Sequence, residues 1–123
     1  DKPEDIYNNP KSIYVANRLG SPKINILKRT SLNTSSPDKA SQLGLRPEHI
    51  KIGEGELSGS IKTVESLGAE TVVELDFNGA EILSLYQGAF QGQKGDKVNF
   101  AIDQNKILFF DEKGMSVQWV LIF

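Results

Sequence analysis

The sequence predicts a mainly β domain. From about residue 43 onward, short runs of alternating apolar and polar residues recur at roughly 8–12-residue spacing, and turn residues separate them. The clearest run covers residues 71–77, where Val73, Leu75 and Phe77 share one face. Strands this short would expose many edges, and closing them into a barrel removes most of those edges. We therefore expect a small, five-stranded, OB-like barrel.

Turn signals set the ends of the predicted strands. Asn78-Gly79 predicts a two-residue type I′ hairpin, because both central positions of that turn need a positive φ. Residues 66–69, 103–106 and 111–114 have the composition of turns. The other predicted strands are residues 24–27, 56–64, 81–86, 96–102, 107–110 and 116–123.

The first 27 residues differ from the rest and predict a short helical lead-in that runs into the first strand. Pro-Glu-Asp at positions 3–5 is typical of a helix start, and Gly20 is suited to end a second short helix. Residues 29–42 are polar with little to bury, and we expect them to form a flexible loop. The chain is thus divided into a helical linker with the first strand (1–27) and the barrel domain (28–123).

Composition narrows the class of protein. The chain has 123 residues, enough for one domain, and a net charge of −2 from 14 basic and 16 acidic residues that are interspersed. Because the two signs are balanced and interspersed, the sequence shows no excess of positive charge that would attract a nucleic-acid backbone. Cysteine is absent, which excludes disulfides and a catalytic thiol, and no apolar run reaches the ~20 residues of a membrane span. The chain begins with Asp1, and we interpret it as a piece of a longer protein.

Signals for chemistry are weak. A lone histidine, His49, has no recognisable nucleophile to activate. The carboxylates of Asp103, Asp111 and Glu112 are better explained as turn residues than as metal ligands. The glycine-containing segment 91–96 lacks the phosphate-loop motif and lies between strands. We predict no catalytic residue, no metal site and no cofactor in this chain.

The segment LGLRPEHI, residues 43–50, carries the most specific local pattern. Pro47 fixes its own φ and pushes Arg46 into an extended conformation, so we expect Arg46 and Glu48 to point out of the strand. These two charges would form either a structural pair or a contact with another domain or chain.

The aromatic residues near the C-terminus raise a nucleic-acid alternative. Trp119, Phe109 and Phe110 could stack bases, as OB barrels do. Neighbouring lysines lie among aspartates, however, so the local charge cancels. The apolar run is better explained as core or as a buried interface, and we expect no nucleic-acid partner.

Four segments, in order, resemble the ATP-binding subunits of ABC importers of the maltose and glycerol-3-phosphate type. Residues 3–25 resemble the family's linker P-E-E-I-Y-x-x-P-x-x-x-F-V-A-x-F-I-G-S-P-x-M-N. Residues 43–50 look like its G-I-R-P-E-H segment, residues 64–71 (VESLGAET) are similar to V-E-x-L-G-x-E-T, and residues 110–114 (FDEKG) to F-D-x-x-T-G. The chain departs from the family in a short segment between Ile26 and Gln42 and in Lys113, which replaces a threonine.

The resemblance implies a TOBE-type, OB-like regulatory and dimerisation domain that follows the ATPase domain and does not itself hydrolyse ATP. In the family it pairs with its twin and can receive a regulatory protein, and its dimer contact would map to Phe110 and Asp111. ATP, Mg²⁺ and the permease contact would belong to the ATPase domain, and the parent protein would lie in the cytoplasm on the inner face of the membrane.

An alternative keeps the fold and changes the function. The chain would be an OB-type module that binds a small ligand or oxyanion, as in molybdate-type importers. Backbone N–H groups and hydroxyls of residues 58–60 (SGS) and 66–68 (SLG) are the candidate donors.

Overall fold

The computed structural model describes residues 10–14, 16 and 23–117. Three 3₁₀ turns lie between strands: Arg29–Ser31, Pro47–His49 and Gln104–Lys106. The seven strands of the described residues are β1 (Asn25–Lys28), β2 (Gln42–Leu45), β3 (Ile50–Ser66), β4 (Glu70–Phe77), β5 (Ala80–Gln87), β6 (Lys97–Ile102) and β7 (Leu108–Phe110). The predicted mainly β class is confirmed, but the described residues form seven strands in two sheets, whereas we expected a five-stranded barrel.

The strands form two sheets whose neighbours are all antiparallel. The smaller sheet has the order β1-β2-β7, and the larger has the order β5-β4-β3-β6. The side-chain amide of Asn25, which is 6% exposed, joins them. Its Nδ2 donates to the carbonyl of Leu83 (2.9 Å), and its Oδ1 accepts from the Leu83 N–H (2.7 Å). This side chain therefore extends the edge of β5 as a neighbouring strand would.

The helical lead-in is not supported as an element of the described residues, in which only residues 13, 14 and 16 are α-helical. Among its described residues, one helical hydrogen bond runs from the N–H of Ala16 to the carbonyl of Ser12 (3.0 Å). The rest of the predicted helices falls outside the described residues, as does most of the predicted last strand with Trp119. Ser116 forms an isolated bridge with Phe110.

The central strand is longer than the sequence predicted. β3 runs for 17 residues and pairs with β6 and then with β4, whereas we expected a strand only over residues 56–64. Ile52 and Leu57 both pair with Phe100, so residues 53–56 (GEGE) form a bulge. Gly53 and Gly55 have φ values of +99° and +88°, which lets the chain loop out without ending the strand.

The hairpin of β4 and β5 follows the prediction. Asn78 (φ 51°) and Gly79 (φ 91°) form its two-residue turn, and the Asp76 carboxylate accepts from the Gly79 N–H (3.0 Å). Val73 and Leu75 are fully buried, as the alternation predicted.

The hydrophobic residues form two clusters on opposite faces of the smaller sheet. The main cluster lies between the two sheets and includes Leu27, Leu43 and Phe100. The second consists of Ala16, Ile24 and Phe110, with Ile13, Ile26 and Leu108 packed against it. Because neighbouring residues of β1 and β7 face different clusters, both faces of this sheet are covered. No helix among the described residues is long and apolar enough to cross a membrane.

Candidate functional site

Residues 46–49 (RPEH) connect the two sheets, because they lead from β2 into β3. Arg46 is extended (φ −68°, ψ 137°), as the following proline predicts. The N–H of His49 donates to the Arg46 carbonyl (2.9 Å), and the N–H of Ile50 donates to the carbonyl of Pro47, which closes the 3₁₀ turn.

Arg46 lies in the interior. Its side chain is 2% exposed, and its Nη1 donates to the backbone carbonyl of Ala16 (3.1 Å). The prediction that Arg46 points out of the strand is therefore wrong. Its partner comes from a segment 30 residues earlier in the chain, which no local pattern around Pro47 indicates. Glu48, also expected to point outward, is half-buried.

Phe110 and Asp111 lie beside this region. Phe110 is fully buried against Ala16 and Ile24, so the expectation of a core role for this aromatic is confirmed. The Asp111 Oδ1 accepts from the N–H groups of Lys113 (2.9 Å) and Met115 (3.0 Å), which makes Asp111 the organiser of a tight turn. The interface roles of Arg46, Glu48, Phe110 and Asp111 stay predictions.

Residues 10–14 and 16, here called the docked segment, are attached to this turn. The N–H of Ile13 donates to the carbonyl of Gly114 (2.9 Å), and the N–H of Ser116 donates to the carbonyl of Lys11 (2.8 Å). Ser12 and Met115 form an antiparallel bridge. Two backbone hydrogen bonds, the Arg46 contact and the second cluster thus fix the docked segment to the domain.

We call the meeting point of the docked segment, Arg46, Phe110 and residues 111–115 the junction. Three of the four residues singled out from the sequence lie in it, and Glu48 lies in the adjoining turn. Sequence reasoning missed the junction itself. The available signal was the outward alternation of Ile24, Ile26 and Phe110, since apolar residues on the outer face of a sheet need a cover.

His49 is half-buried next to the junction. Burial lowers the pKa of its imidazole below the ordinary 6.5, and the carboxylates of Glu48 and Asp103 oppose that shift in part. Its Nδ1 has no hydrogen-bond partner among the described residues, and its backbone carbonyl accepts from the N–H of Asp103 (3.2 Å).

The candidate oxyanion donors lie in β3 and in the turn that follows it. In that turn the N–H of Leu67 donates to the Glu70 carbonyl (2.7 Å) and the N–H of Gly68 to the Ser66 hydroxyl (3.4 Å). Residues 58–60 are in the middle of β3, which has a neighbouring strand on each side. In the loop at residues 91–96, the N–H of Gln93 donates to the Asp96 carboxylate (3.0 Å) and the N–H of Gly95 to the Ile61 carbonyl (2.8 Å). These N–H groups already have protein acceptors.

Other ligand sites have little support in the described part of the chain. A cleft of about 790 Å³ lies between residues 33–35, residues 104–105 and β7. The residues that line it are uncharged, so a bound anion would meet no cationic side chain there. No group of three or more His, Asp or Glu side chains among the described residues is placed to hold a metal ion.

Comparison with known proteins gives a family and several relatives. The family model described as "TOBE domain" matches residues 43–110. The sn-glycerol-3-phosphate import ATP-binding protein UgpC of Psychromonas ingrahamii is 35% identical over 89% of this chain and 36% of its own length. The alpha-glucoside transport ATP-binding protein AglK of Rhizobium meliloti is 26% identical over 93% of this chain and 39% of its own length.

A third relative is the sulfoquinovosyl glycerol transport ATP-binding protein SmoE of Agrobacterium fabrum. It is 24% identical over 89% of this chain and 37% of its own length. The chain therefore spans less than two-fifths of each of these three relatives. The family match begins in β2 and ends with β7, and it includes all of the larger sheet. Because this match covers more than half of a chain with the expected mainly β, OB-like architecture, the chain belongs to the TOBE domain family.

Proposed function

We propose that this chain is the accessory domain of the ATP-binding subunit of a sugar-type ABC importer, where it contributes to dimerisation and regulation. The observation that supports this most is the similarity to three transport or import ATP-binding proteins over 89–93% of the chain. The four segments that resemble the importer ATPases point to the same class. The named relatives handle an alpha-glucoside, sn-glycerol-3-phosphate and sulfoquinovosyl glycerol.

The junction suggests how such a domain would act. The docked segment would lead from the ATPase domain. The Arg46 hydrogen bond and the contacts of Ile13 and Lys11 hold it against the rest of the domain. The barrel would therefore follow the ATPase domain closely instead of hanging from a loose linker. A second contact tethered in this way acts at high effective concentration, so paired subunits stay together while their ATP sites open.

The binding and hydrolysis of ATP would take place in other parts of the parent protein. We expect ATP and Mg²⁺ to bind in the preceding ATPase domain, which would also contact the permease subunits at the inner face of the membrane. The twin subunit, and a regulatory protein where one exists, would contact the barrel surface. We expect no ATP hydrolysis by the 123-residue chain itself, and measurable turnover by the purified chain would contradict the proposal.

The decisive experiment uses the full-length polypeptide in which this chain occurs. A phosphate-loop ATPase segment is expected before Asp1. Deleting everything after residue 22 should weaken ATP-independent dimerisation at least tenfold in sedimentation equilibrium, while each assembled dimer still hydrolyses ATP. A parent without an ATPase segment, or a deletion that leaves the dimer dissociation constant unchanged, would overturn the proposal.

Self-association of the 123-residue chain tests the dimerisation part separately. We expect weak association, seen as a rise in weight-average mass with concentration. Phe110→Ala is unsuitable because Phe110 is fully buried. Met115, in the same turn as Asp111, is 50% exposed, so Met115→Ser should weaken association without loss of stability. Val64→Thr on β3 is the matched control, and equal effects of the two variants would argue against a contact at this turn.

A further inference from the structure

The outer face of the larger sheet carries an apolar stripe that the described residues leave half-covered. Val72 on β4 pairs with Leu85 on β5, and Leu83 follows two residues earlier on β5, so the three side chains lie on the same face. Each is half-buried. The inner face of the same strands holds Val73 and Ile82 in the main cluster, so the outer stripe is additional to the core.

Carboxylates surround this stripe. Glu74 pairs with Leu83 across the strands and accepts a hydrogen bond from Thr63 on β3 (3.3 Å). Glu70 accepts from the side-chain amide of Gln87 (3.0 Å), and Glu65 pairs with Val72. We call this surface the acidic face, and it consists of Thr63, Glu65, Glu70, Val72, Glu74, Asp76, Glu81, Leu83, Leu85 and Gln87.

The charge of the acidic face is mostly negative, and Lys62 and Lys97 lie at its edge, where Lys97 shares the face with Asp76 through their common neighbour Ser60. The acidic face holds five of the chain's 16 carboxylates. Lys62 at the edge of this face forms an exposed ion pair with Glu81, which raises the pKa of Lys62 and lowers the pKa of Glu81. Lys62 also lies within electrostatic reach of Glu74 and Asp76 and offsets part of their charge. Glu70 accepts from the uncharged amide of Gln87, which orients this carboxylate without neutralising it.

The shape of the acidic face is concave. A groove of about 450 Å³ runs over Val72, Leu83 and Leu85, with Glu65, Glu70 and Glu74 along its sides. Leu67, which is 54% exposed in the turn between β3 and β4, extends the apolar surface at one end. An apolar base with a charged rim is the usual anatomy of a protein interaction site.

We propose that the acidic face binds a basic amphipathic segment of another protein, with lysine or arginine on the carboxylates and aliphatic side chains on the stripe. The negative charge of the acidic face favours a basic partner over the alternatives. A second copy would bring five carboxylates against five, and a nucleic-acid backbone or an anionic membrane would be repelled by the same groups. This inference rests on the surface of the domain and does not depend on the proposed function.

The test uses the full 123-residue chain and two labelled 12-residue peptides, one alternating lysine with leucine and the other glutamate with leucine. Fluorescence anisotropy should show saturable binding of the lysine peptide, weakened by salt, and no binding of the glutamate peptide. The double variant Glu65→Gln/Glu74→Gln should raise the dissociation constant at least tenfold. Leu85→Ser should also raise it several-fold at unchanged charge.

The matched control is Glu54→Gln/Glu56→Gln in the β3 bulge, which removes two exposed carboxylates from the same strand. It should leave binding unchanged, and amide chemical shifts should move on β3, β4 and β5 rather than in the bulge. Unfolding curves of all variants identify any that fail to fold. Absence of saturable binding, equal loss in control and test variants, or self-association of the chain that Glu65→Gln/Glu74→Gln changes would overturn the proposal.

Discussion

Arg46 combines a charge with nearly complete burial, and its hydrogen bond to Ala16 is the most direct link between the docked segment and the barrel. Replacing it by methionine keeps much of the apolar stem and removes the donor. The carbonyl of Ala16, a fully buried residue, then loses its donor. We therefore expect the free energy of unfolding to fall by about 1–3 kcal/mol.

Urea unfolding measures this loss, and hydrogen exchange locates it. The amides of Ile13 and Ala16 should exchange faster in Arg46→Met, because the docked segment has lost one of its attachments. Lys51→Met, which replaces an exposed cation, should change stability by less than about 0.5 kcal/mol. Unchanged exchange at Ile13 and Ala16 would show that the guanidinium does not hold the segment.

His49 should make stability depend on pH, because its folded-state pKa is lowered by burial. Below its ordinary pKa of 6.5 the unfolded chain binds a proton more readily than the folded chain does. The contribution of His49 to the free energy of unfolding should therefore rise with pH up to about 6.5 and then level off. Lys51 and Lys106 act in the same direction as burial, and Glu48 and Asp103 oppose it.

The measurement compares chemical unfolding of the parent chain and His49→Gln between pH 5 and pH 8. The chain has one histidine, so the difference between the two curves isolates this imidazole. We expect the parent to lose stability relative to His49→Gln as the pH falls below 6.5. A difference curve without slope, or with the opposite slope, would contradict the burial of His49 as the cause.

At the scale of the element, the bulge of β3 contains two glycines, Gly53 and Gly55, that differ in the space around their Cα atoms. Both have positive φ values, but a Cβ on Gly53 would meet nothing within 4 Å, whereas a Cβ on Gly55 would lie 2.6 Å from the Phe100 carbonyl oxygen. Gly53→Ala should cost only the backbone strain of about 1–2 kcal/mol. Gly55→Ala should cost about 1–3 kcal/mol more, because β6 must shift.

Thermal and urea unfolding of the two variants check this difference. Amide shifts of Phe100 and Ala101 provide a local readout, and they should move in Gly55→Ala and hardly move in Gly53→Ala. Equal costs for the two substitutions would mean that β6 does not pack against the bulge as closely as the structure places it.

The elements predicted well from the sequence are those whose signals are local. The hairpin of β4 and β5 follows from Asn78-Gly79 and from strict alternation, and both are readable within a few residues. A strand was also predicted over residues 96–102, which matches β6, and Phe100 and Ile102 in that strand are buried. The full length of β3 was missed because glycines at 53 and 55 usually end a strand, and the pairing that carries β3 through them comes from β6.

At the scale of the whole molecule, the features missed are the ones that depend on distant partners. Asn25 joins the sheets through Leu83, 58 residues later, and Arg46 reaches back to Ala16. An asparagine in a strand and an arginine before a proline are both ordinary in exposed positions, so composition alone favours the wrong environment. The junction could be inferred only from the apolar outer face of the smaller sheet, which needs a cover.

The two clusters on either side of the smaller sheet raise the question of whether the molecule unfolds as one unit. Phe100 belongs to the main cluster and Phe110 to the second, and both are fully buried. We expect Phe100→Leu and Phe110→Leu to cost about 1–2 kcal/mol each, less than the 3–5 kcal/mol of truncation to alanine. Because β1 and β7 contribute to both clusters, each variant should shift one common transition.

The double variant Phe100→Leu/Phe110→Leu tests quantitatively whether the two clusters unfold together. The two side chains belong to clusters on opposite faces of the sheet, so their costs should add within about 0.5 kcal/mol. Near- and far-ultraviolet circular dichroism should report the same midpoint for every variant. A separate early transition in Phe110→Leu, with loss of protection at Ile13 and Ser116 while β4 stays protected, would show that the junction opens independently of the barrel. In that case the docked segment could not pass on movement as the proposed function requires.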